Sequence, residues 1–475
     1  MKEQKELISS NPGLDETSLR YMLRLAWPMI VTSVSFTIMQ FVDTRMVAEL
    51  GTAQLAAIMP ASIMSFIPSS FALGVMTIVN TFVSQSLGKG QTKECSNYCW
   101  QVIYLGLVYA ILILIFIWPS APLIFKAIGQ PAEIIPMEVI YLRIMLYAQF
   151  ILVFIWACNQ FFMGIHRPII IMYSALIGQL VNVAANYALI FGKFGFPAMG
   201  IKGAAWGTFI GLSIGAFIRM FYFLTGDVNA KFQSRKSFKI DFHKMLGIIK
   251  FGFPAGFSLM INIAFWTVIL FGLVGRFGQA PLAATSAVWS CIRLSFMPVI
   301  GVGTALTAAV GKSIGKENKQ TAIKQTAISL KVAVTYMVSM GICFFVFRKS
   351  IMHFWSPDPD VIRIGTKILV CAAIFQLFDA ILIIYGDALR GAGDTFFLAI
   401  MEITAAAVFL GLGGLFMVKC FPQLGALGPW IAAVVKIVFG AVANTWRFKT
   451  NKWMNIDIFK HRPVGVAPQI EATID

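Results

Sequence analysis

Twelve times along this 475-residue chain, a stretch of predominantly apolar residues gives way to a short charged or Gly/Pro-rich break. A bilayer core about 30 Å thick is crossed by roughly 20 residues of α-helix, and these stretches have that length. They fall near 20–46, 53–86, 97–118, 136–162, 168–191, 203–224, 246–275, 280–311, 325–347, 361–388, 395–418 and 425–446. No water-soluble fold hides so many such runs, and 58% hydrophobic against 12% charged residues agrees. The runs are continuously apolar rather than alternating, which excludes a transmembrane β-barrel. The expected fold is an all-α polytopic membrane protein.

The formal charge of +17 would suit a nucleic-acid partner if it lay on one face. Instead the cations gather in alternate breaks. Lys2, Lys5, Arg20 and Arg24 precede the first helix; Lys89 and Lys93 follow the second; His166 and Arg167 follow the fourth. Lys231, Arg235, Lys236, Lys239, Lys244 and Lys250 fill the central connection, Lys312, Lys316, Lys319 and Lys324 follow the eighth helix, and Arg447, Lys449, Lys452, Lys460 and Arg462 follow the twelfth. The positive-inside rule therefore places both termini in the cytoplasm and leaves no nucleic-acid partner. The opening MKEQKELISSNPGLDE has no apolar core of a cleavable signal, so the first helix directs insertion. Seven scattered cysteines, with Cys95 and Cys99 the one close pair, read as ordinary helix residues rather than a disulfide or metal framework.

The chain repeats itself. AELGTAQLAA (48–57) resembles GRFGQAPLAA (275–284), and GVMTIVNTFVSQSLGKG (74–90) aligns without a gap to GVGTALTAAVGKSIGKE (301–317), a constant offset of 227 residues (315 − 88). The same offset carries Gly164 in MGIHRP onto Gly391 in RGAGDT, and a slightly smaller one carries FPAMGIKGAAW (196–206) onto FPQLGALGPWI (421–431). Two six-helix units follow, and because six is even they enter the membrane in the same direction. The expected organisation is a tail (1–19), an N-terminal lobe (20–224), a cytoplasmic linker (225–245), a C-terminal lobe (246–446) and a second tail (447–475), with a central cavity between the lobes.

An ionisable side chain near the bilayer centre costs roughly 2.5–3.5 kcal/mol on insertion scales, so each one is a functional candidate. Asp379 lies about 16 Å of helix from the glycine loop at Gly391, close to the midplane. Gln376 and Asp387 share its run, and Asp387 has Arg390 three residues on as a pairing partner. Asp43 follows Gln40 in the first helix, where Arg45 and Glu49 have the spacing of a pair at the outer end. Gln179, Asn182 and Asn186 recur along the fifth helix, and Ser258 and Asn262 follow Pro254 in the seventh. Helix–helix hydrogen bonding alone could satisfy these amides. The glycine loop lacks the GxxxxGK[ST] pattern, so no nucleotide motor is expected, no enzyme activity, and no cofactor beyond an ion gradient.

Taken together, PMIVTSVSFTIMQFVDTRMVAELG, TFVSQSLGKG, LVNVAANYALIFGKFGFPAMGIKGAAWGT, FGFPAGFSL and ALRGAGDT resemble segments of the multidrug and toxic compound extrusion (MATE) transporters, NorM-like branch, over residues 20–446. The resemblance implies two V-shaped lobes in a bacterial inner membrane, a monomer among lipid, and export of amphipathic, often cationic small molecules in exchange for Na⁺ or H⁺. It matches Asp43 to the helix-1 aspartate of bacterial members and Asp379 to the helix-10 carboxylate of cation coupling, making Asp379 the Na⁺ candidate. It sets Asn182 and Asn186 on the paired polar positions of helix 5 and Asn262 where many NorM-like proteins carry glutamate. Rival readings are a major-facilitator transporter, whose GxxxDRxGRR-type loop is missing from SQSLGKGQTKE, and a lipid-linked sugar flippase of the same superfamily.

Overall fold

A computed structural model describes residues 15–460. Lys2, Lys5 and Arg462 and much of both tails lie outside the described residues. Within them the chain is helical, with 12 helices long and apolar enough to cross a membrane. These are α1 (Leu19–Ala48), α2 (Thr52–Gly88), α3 (Thr92–Ala127), α4 (Ile135–Gly164), α5 (Pro168–Phe191), α6 (Ile201–Leu224), α7 (Phe242–Gly275), α8 (Gln279–Gly315), α9 (Lys319–Val346), α10 (Pro359–Ala392), α11 (Thr395–Cys420) and α12 (Leu427–Lys449).

Helix ends follow local chemistry. The side chains of Ser18, Asp241 and Asn318 accept from the backbone N–H three residues on, at Tyr21 (3.2 Å), Lys244 (3.2 Å) and Thr321 (3.1 Å), capping α1, α7 and α9. The third helix outruns its expected end at 118, passing through Pro119 and Pro122. Pro122 frees the carbonyl of Trp118, and Arg143 Nε of α4 donates to it at 3.4 Å, so the helix continues. A short amphipathic helix, Arg348–Trp355, stands between α9 and α10 in addition to the twelve long helices.

Helices α1–α6 pack chiefly among themselves, as do α7–α12. The two groups meet where α1 lies on α8, α2 on α7, and α2 on α8. The 227-residue offset recurs in this geometry. Gly51 and Gly278, ahead of α2 and α8, hold φ of +117° and +106°, a region L-residues with a Cβ rarely enter. A Cβ on Gly88 would sit 2.3 Å from the carbonyl of Lys312, and one on Gly315 would sit 2.2 Å from that of Gln85. Gln85 and Lys312 are themselves 227 apart, so equivalent turns of α2 and α8 cross at equivalent glycines.

That crossing is the more heavily bonded end of the interface. Asn80 Nδ2 donates to Thr304 O (3.4 Å), Thr81 Oγ1 to Arg390 O (2.9 Å) and Gln85 Nε2 to Gly391 O (3.1 Å). Just beyond, His166 Nε2 lies 3.2 Å from Ala308 O, and its Nδ1 lies 2.9 Å from Tyr21 Oη. Glu16 pairs with Lys312 (2.9 Å) and Lys316 (3.0 Å) and accepts on its carbonyl from Gln325 (3.2 Å). Burial opposes ionisation of Glu16, but hydrogen bonds from the two lysines outweigh it and hold its carboxyl below the ordinary range.

The basic connection between the two groups has secondary structure of its own. It forms a helix over Gly226–Phe232 and a 3₁₀ turn at Ser234–Lys236. Trp100 Nε1 donates to Ser234 O (2.8 Å), Gln101 Nε2 to Lys239 O (2.9 Å) and Tyr104 Oη to Phe238 O (2.6 Å), so α3 carries it.

Candidate functional site

In the first six helices the polar side chains converge on Asp43. Asn186 Nδ2 of α5 donates to Asp43 Oδ1 at 2.8 Å, Asn186 lies 3.4 Å from Asn182 Oδ1, and Asn182 Nδ2 reaches Thr208 Oγ1 of α6 at 3.4 Å. Small residues make this possible: Gly203, Gly207, Gly211 and Gly215 line one face of α6, and a Cβ on Gly207 would fall 2.0 Å from Asn186 Oδ1. Both asparagines are buried while Asp43 is only half-buried, and Asn186 Oδ1 has no donor among the described residues. The cluster therefore orients one half-buried carboxylate and keeps an acceptor beside it. Arg45 and Glu49 form the expected pair, 3.8 Å apart and exposed.

Gln40 does not belong to this cluster, although it sits three residues before Asp43. Its Oε1 accepts from Arg293 Nη2 of α8, across the interface. Arg293 is a half-buried cation inside an apolar run, outside the acidic and amide candidates of the sequence.

The last six helices hold a second cluster of different make-up. Asp379 of α10 is half-buried and its electrostatic partner is Lys436 of α12, which also faces Glu402 of α11. Lys436 is 5% exposed, and its ammonium stands 5.7 Å above the ring of Trp266 in α7. Neither Lys436 nor Glu402 was singled out from sequence. Both were findable, because each is an ionisable group inside an apolar run.

The expected stripe along α10 is divided. Gln376 is buried and donates to Ser295 Oγ of α8 at 2.8 Å. Asp387 turns to α8 as well, lying against Gly303, where a Cβ would collide with its carboxylate. Arg390 closes an ion pair with Asp387, leaving Asp379 alone on the side facing α11 and α12. Asp387 is thus a structural pair, held by a carbonyl contact from Thr307 Oγ1 as well (3.0 Å). Ser258 donates to the carbonyl of Ala255 in its own helix (3.2 Å) and joins neither cluster. Gln179 and Asn262 are partly exposed, and their side chains make no hydrogen bond among the described residues. The close pair Cys95 and Cys99 is buried and unbridged, and no group of three His, Cys, Asp or Glu residues able to hold a metal occurs among the described residues.

The arrangement sets two carboxylate clusters in separate helix groups, joined by the α2–α8 crossing at one end and, farther along α1 and α8, by the bond from Arg293 to Gln40. A family model described as MatE matches residues 28–188 and 254–413, one segment in each group. A probable multidrug resistance protein NorM of Bacillus subtilis is 26% identical over 438 residues, covering 90% of this chain and 95% of that protein. A protein of the same description from Rhizobium meliloti is 27% identical over 442 residues, with 91% and 93% covered. Among solved structures, a MATE protein in its straight conformation superposes with a TM-score of 0.83 at 20% identity, covering 93% of this chain and 97% of that one. The bent conformation gives 0.81 at 19% identity, with 91% and 95% covered. At such identities the likeness is one of fold.

Proposed function

The chain belongs to the MatE family and is a multi-pass membrane transporter rather than an enzyme, and we propose that it exports amphipathic, cationic small molecules in exchange for Na⁺ or H⁺ by alternating access. The observation that carries this reading is the pair of half-buried carboxylates, Asp43 and Asp379, one in each helix group of a scaffold whose groups are most heavily bonded to one another at the α2–α8 crossing. A carboxylate in a membrane interior is costly while charged and unpaired, so it is occupied by a proton or cation for part of the cycle. Coupling requires that this ligand have different affinity in the two conformations, and a carboxylate whose hydration changes between them supplies the difference. The alternating basic loops put both termini and the 226–250 connection in the cytoplasm of a bacterial cell membrane, which makes the more heavily bonded end the cytoplasmic one. The small-molecule substrate then enters from that side once the crossing opens.

Efflux of cationic dyes from proteoliposomes under imposed Na⁺ or H⁺ gradients tests the proposal. Asp379→Asn is expected to fold and bind dye yet lose uphill transport, and Asp43→Asn to alter efflux across external pH 6–8. Undiminished uphill transport by Asp379→Asn returns that residue to a purely structural role.

A further inference from the structure

An ammonium is the least expected group in the middle of a membrane-spanning helix, yet Lys436 lies nine residues into the 23-residue α12 with a side chain only 5% exposed. Snorkelling to the surface is open to lysines near helix ends, and Lys436 does not take that route. It points instead into the junction of α7, α10 and α11. Trp266 approaches it from a π-helical turn of α7, Phe265–Leu270, a type of irregularity that re-aims side chains and is frequent at functional sites. Asp379 and Glu402 approach from α10 and α11, and these carboxylates are the charged groups it faces. Among the described residues no acceptor hydrogen-bonds its ammonium and no carboxylate closes a direct ion pair with it. The other nearby carboxylate, Asp387, is already matched by Arg390.

A lysine ammonium and a sodium ion carry the same charge and seek the same oxygen donors, but the ammonium is tethered and cannot leave during a transport cycle. Two carboxylates around one fixed cation have most of their demand for a mobile one removed. A sodium ion entering beside Asp379 would also meet the like charge of Lys436 across a poorly screened gap. Asn262, one turn before Trp266, is a neutral amide and restores no negative charge from α7. We propose that Lys436 is the resident cation of the second helix group: its ammonium serves as counter-ion to Asp379 and Glu402, excludes Na⁺ from that half, and so determines the cation specificity of the antiport.

This deepens the antiport reading and rests on it, but the two are tested separately, because Na⁺ binding to the purified full-length protein needs no transport. The measurement is equilibrium binding of radioactive Na⁺, with melting followed by intrinsic fluorescence in NaCl against choline chloride at equal ionic strength. Wild type is expected to bind no Na⁺ through Asp379 and to melt identically in both salts. Lys436→Met keeps the unbranched stem and removes the charge, so it should gain saturable Na⁺ binding and a Na⁺-specific rise in melting temperature. Both gains should vanish in the Lys436→Met/Asp379→Asn double variant, and Lys436→Arg should remain indifferent to Na⁺. Asp379-dependent Na⁺ binding by wild type, or a folded Lys436→Met that stays indifferent, overturns the assignment. If Lys436→Met fails to fold, wild type and Lys436→Arg carry the test: saturable Na⁺ binding by either that Asp379→Asn abolishes overturns it, and its absence from both supports it. Loss of dye transport under every gradient would refute the antiport while leaving this result intact.

Discussion

Acidifying the side of the membrane on which the α2–α8 crossing lies should open that crossing through His166. This residue lies in the three-residue break between α4 and α5, with a left-handed φ of +61° at the repeat position of Gly393. Burial first, then the charges of Lys312 and Lys316, hold its imidazole down to about 3, while the Ala308 carbonyl and Glu16 pull the other way. Tyr21 of α1 bonds the remaining ring nitrogen. When the crossing opens, the ring is hydrated and its ordinary value near 6.5 returns. Below that value the open form takes up a proton that the closed form refuses, so stability of the closed form is lost as pH falls. Between pH 7.5 and 5.5 the linkage is worth about 1.4 kcal/mol, or roughly tenfold in the closed-to-open ratio. Part of the residue meets solvent, which screens the lysines and makes tenfold the ceiling. Glu16, held below its ordinary range by those lysines, stays charged throughout this window and adds nothing. Spin labels at Lys93 and Gln320, exposed positions 227 residues apart on opposite sides of the crossing, report the distance distribution by pulsed dipolar spectroscopy. Wild type should shift toward longer distances at pH 5.5, and His166→Gln should not. An equal shift in His166→Gln, or none in wild type, refutes the argument.

A cysteine at Lys236 in a Cys-free background should label from the cytoplasmic side only; Lys236 is exposed, whereas its neighbour Ser234 is fully buried and would resist reagent from either side. Gly315→Ala places a Cβ 2.2 Å from the Gln85 carbonyl, a backbone clash that no side-chain rotation relieves. It should cost about 1–3 kcal/mol of stability, read as a lower melting temperature, and lengthen the Lys93–Gln320 distance. Arg390→Gln leaves Asp387 buried and unpaired and should cost about 3–5 kcal/mol in a detergent unfolding assay, with Asp387→Asn/Arg390→Gln recovering much of it. A single variant as stable as wild type would mean that Asp387 is not charged in the folded protein.

The number and placement of the spans were legible in the sequence because crossing a bilayer is a requirement on local length and apolarity, met segment by segment. The repeat was legible for a similar reason: Gly51 and Gly278, or Gly88 and Gly315, are demanded by local backbone or by a twofold crossing that sequence offset alone exposes. Helix-face arguments carried less far. Gln40 and Asp43 are three residues apart, yet one reaches Arg293 in the other helix group and the other Asn186 in its own. Gln376 and Asp379 divide in the same way between α8 and the α11–α12 side. A periodicity of 3.6 residues places a side chain on a helix to within tens of degrees, and a shift of about 60° is enough to change which neighbour it meets. The identity of that neighbour is a property of packing. So is the gathering of Lys436, Glu402 and Asp379, whose members lie on three different helices and acquire a common electrostatics only when α10, α11 and α12 close around the same space.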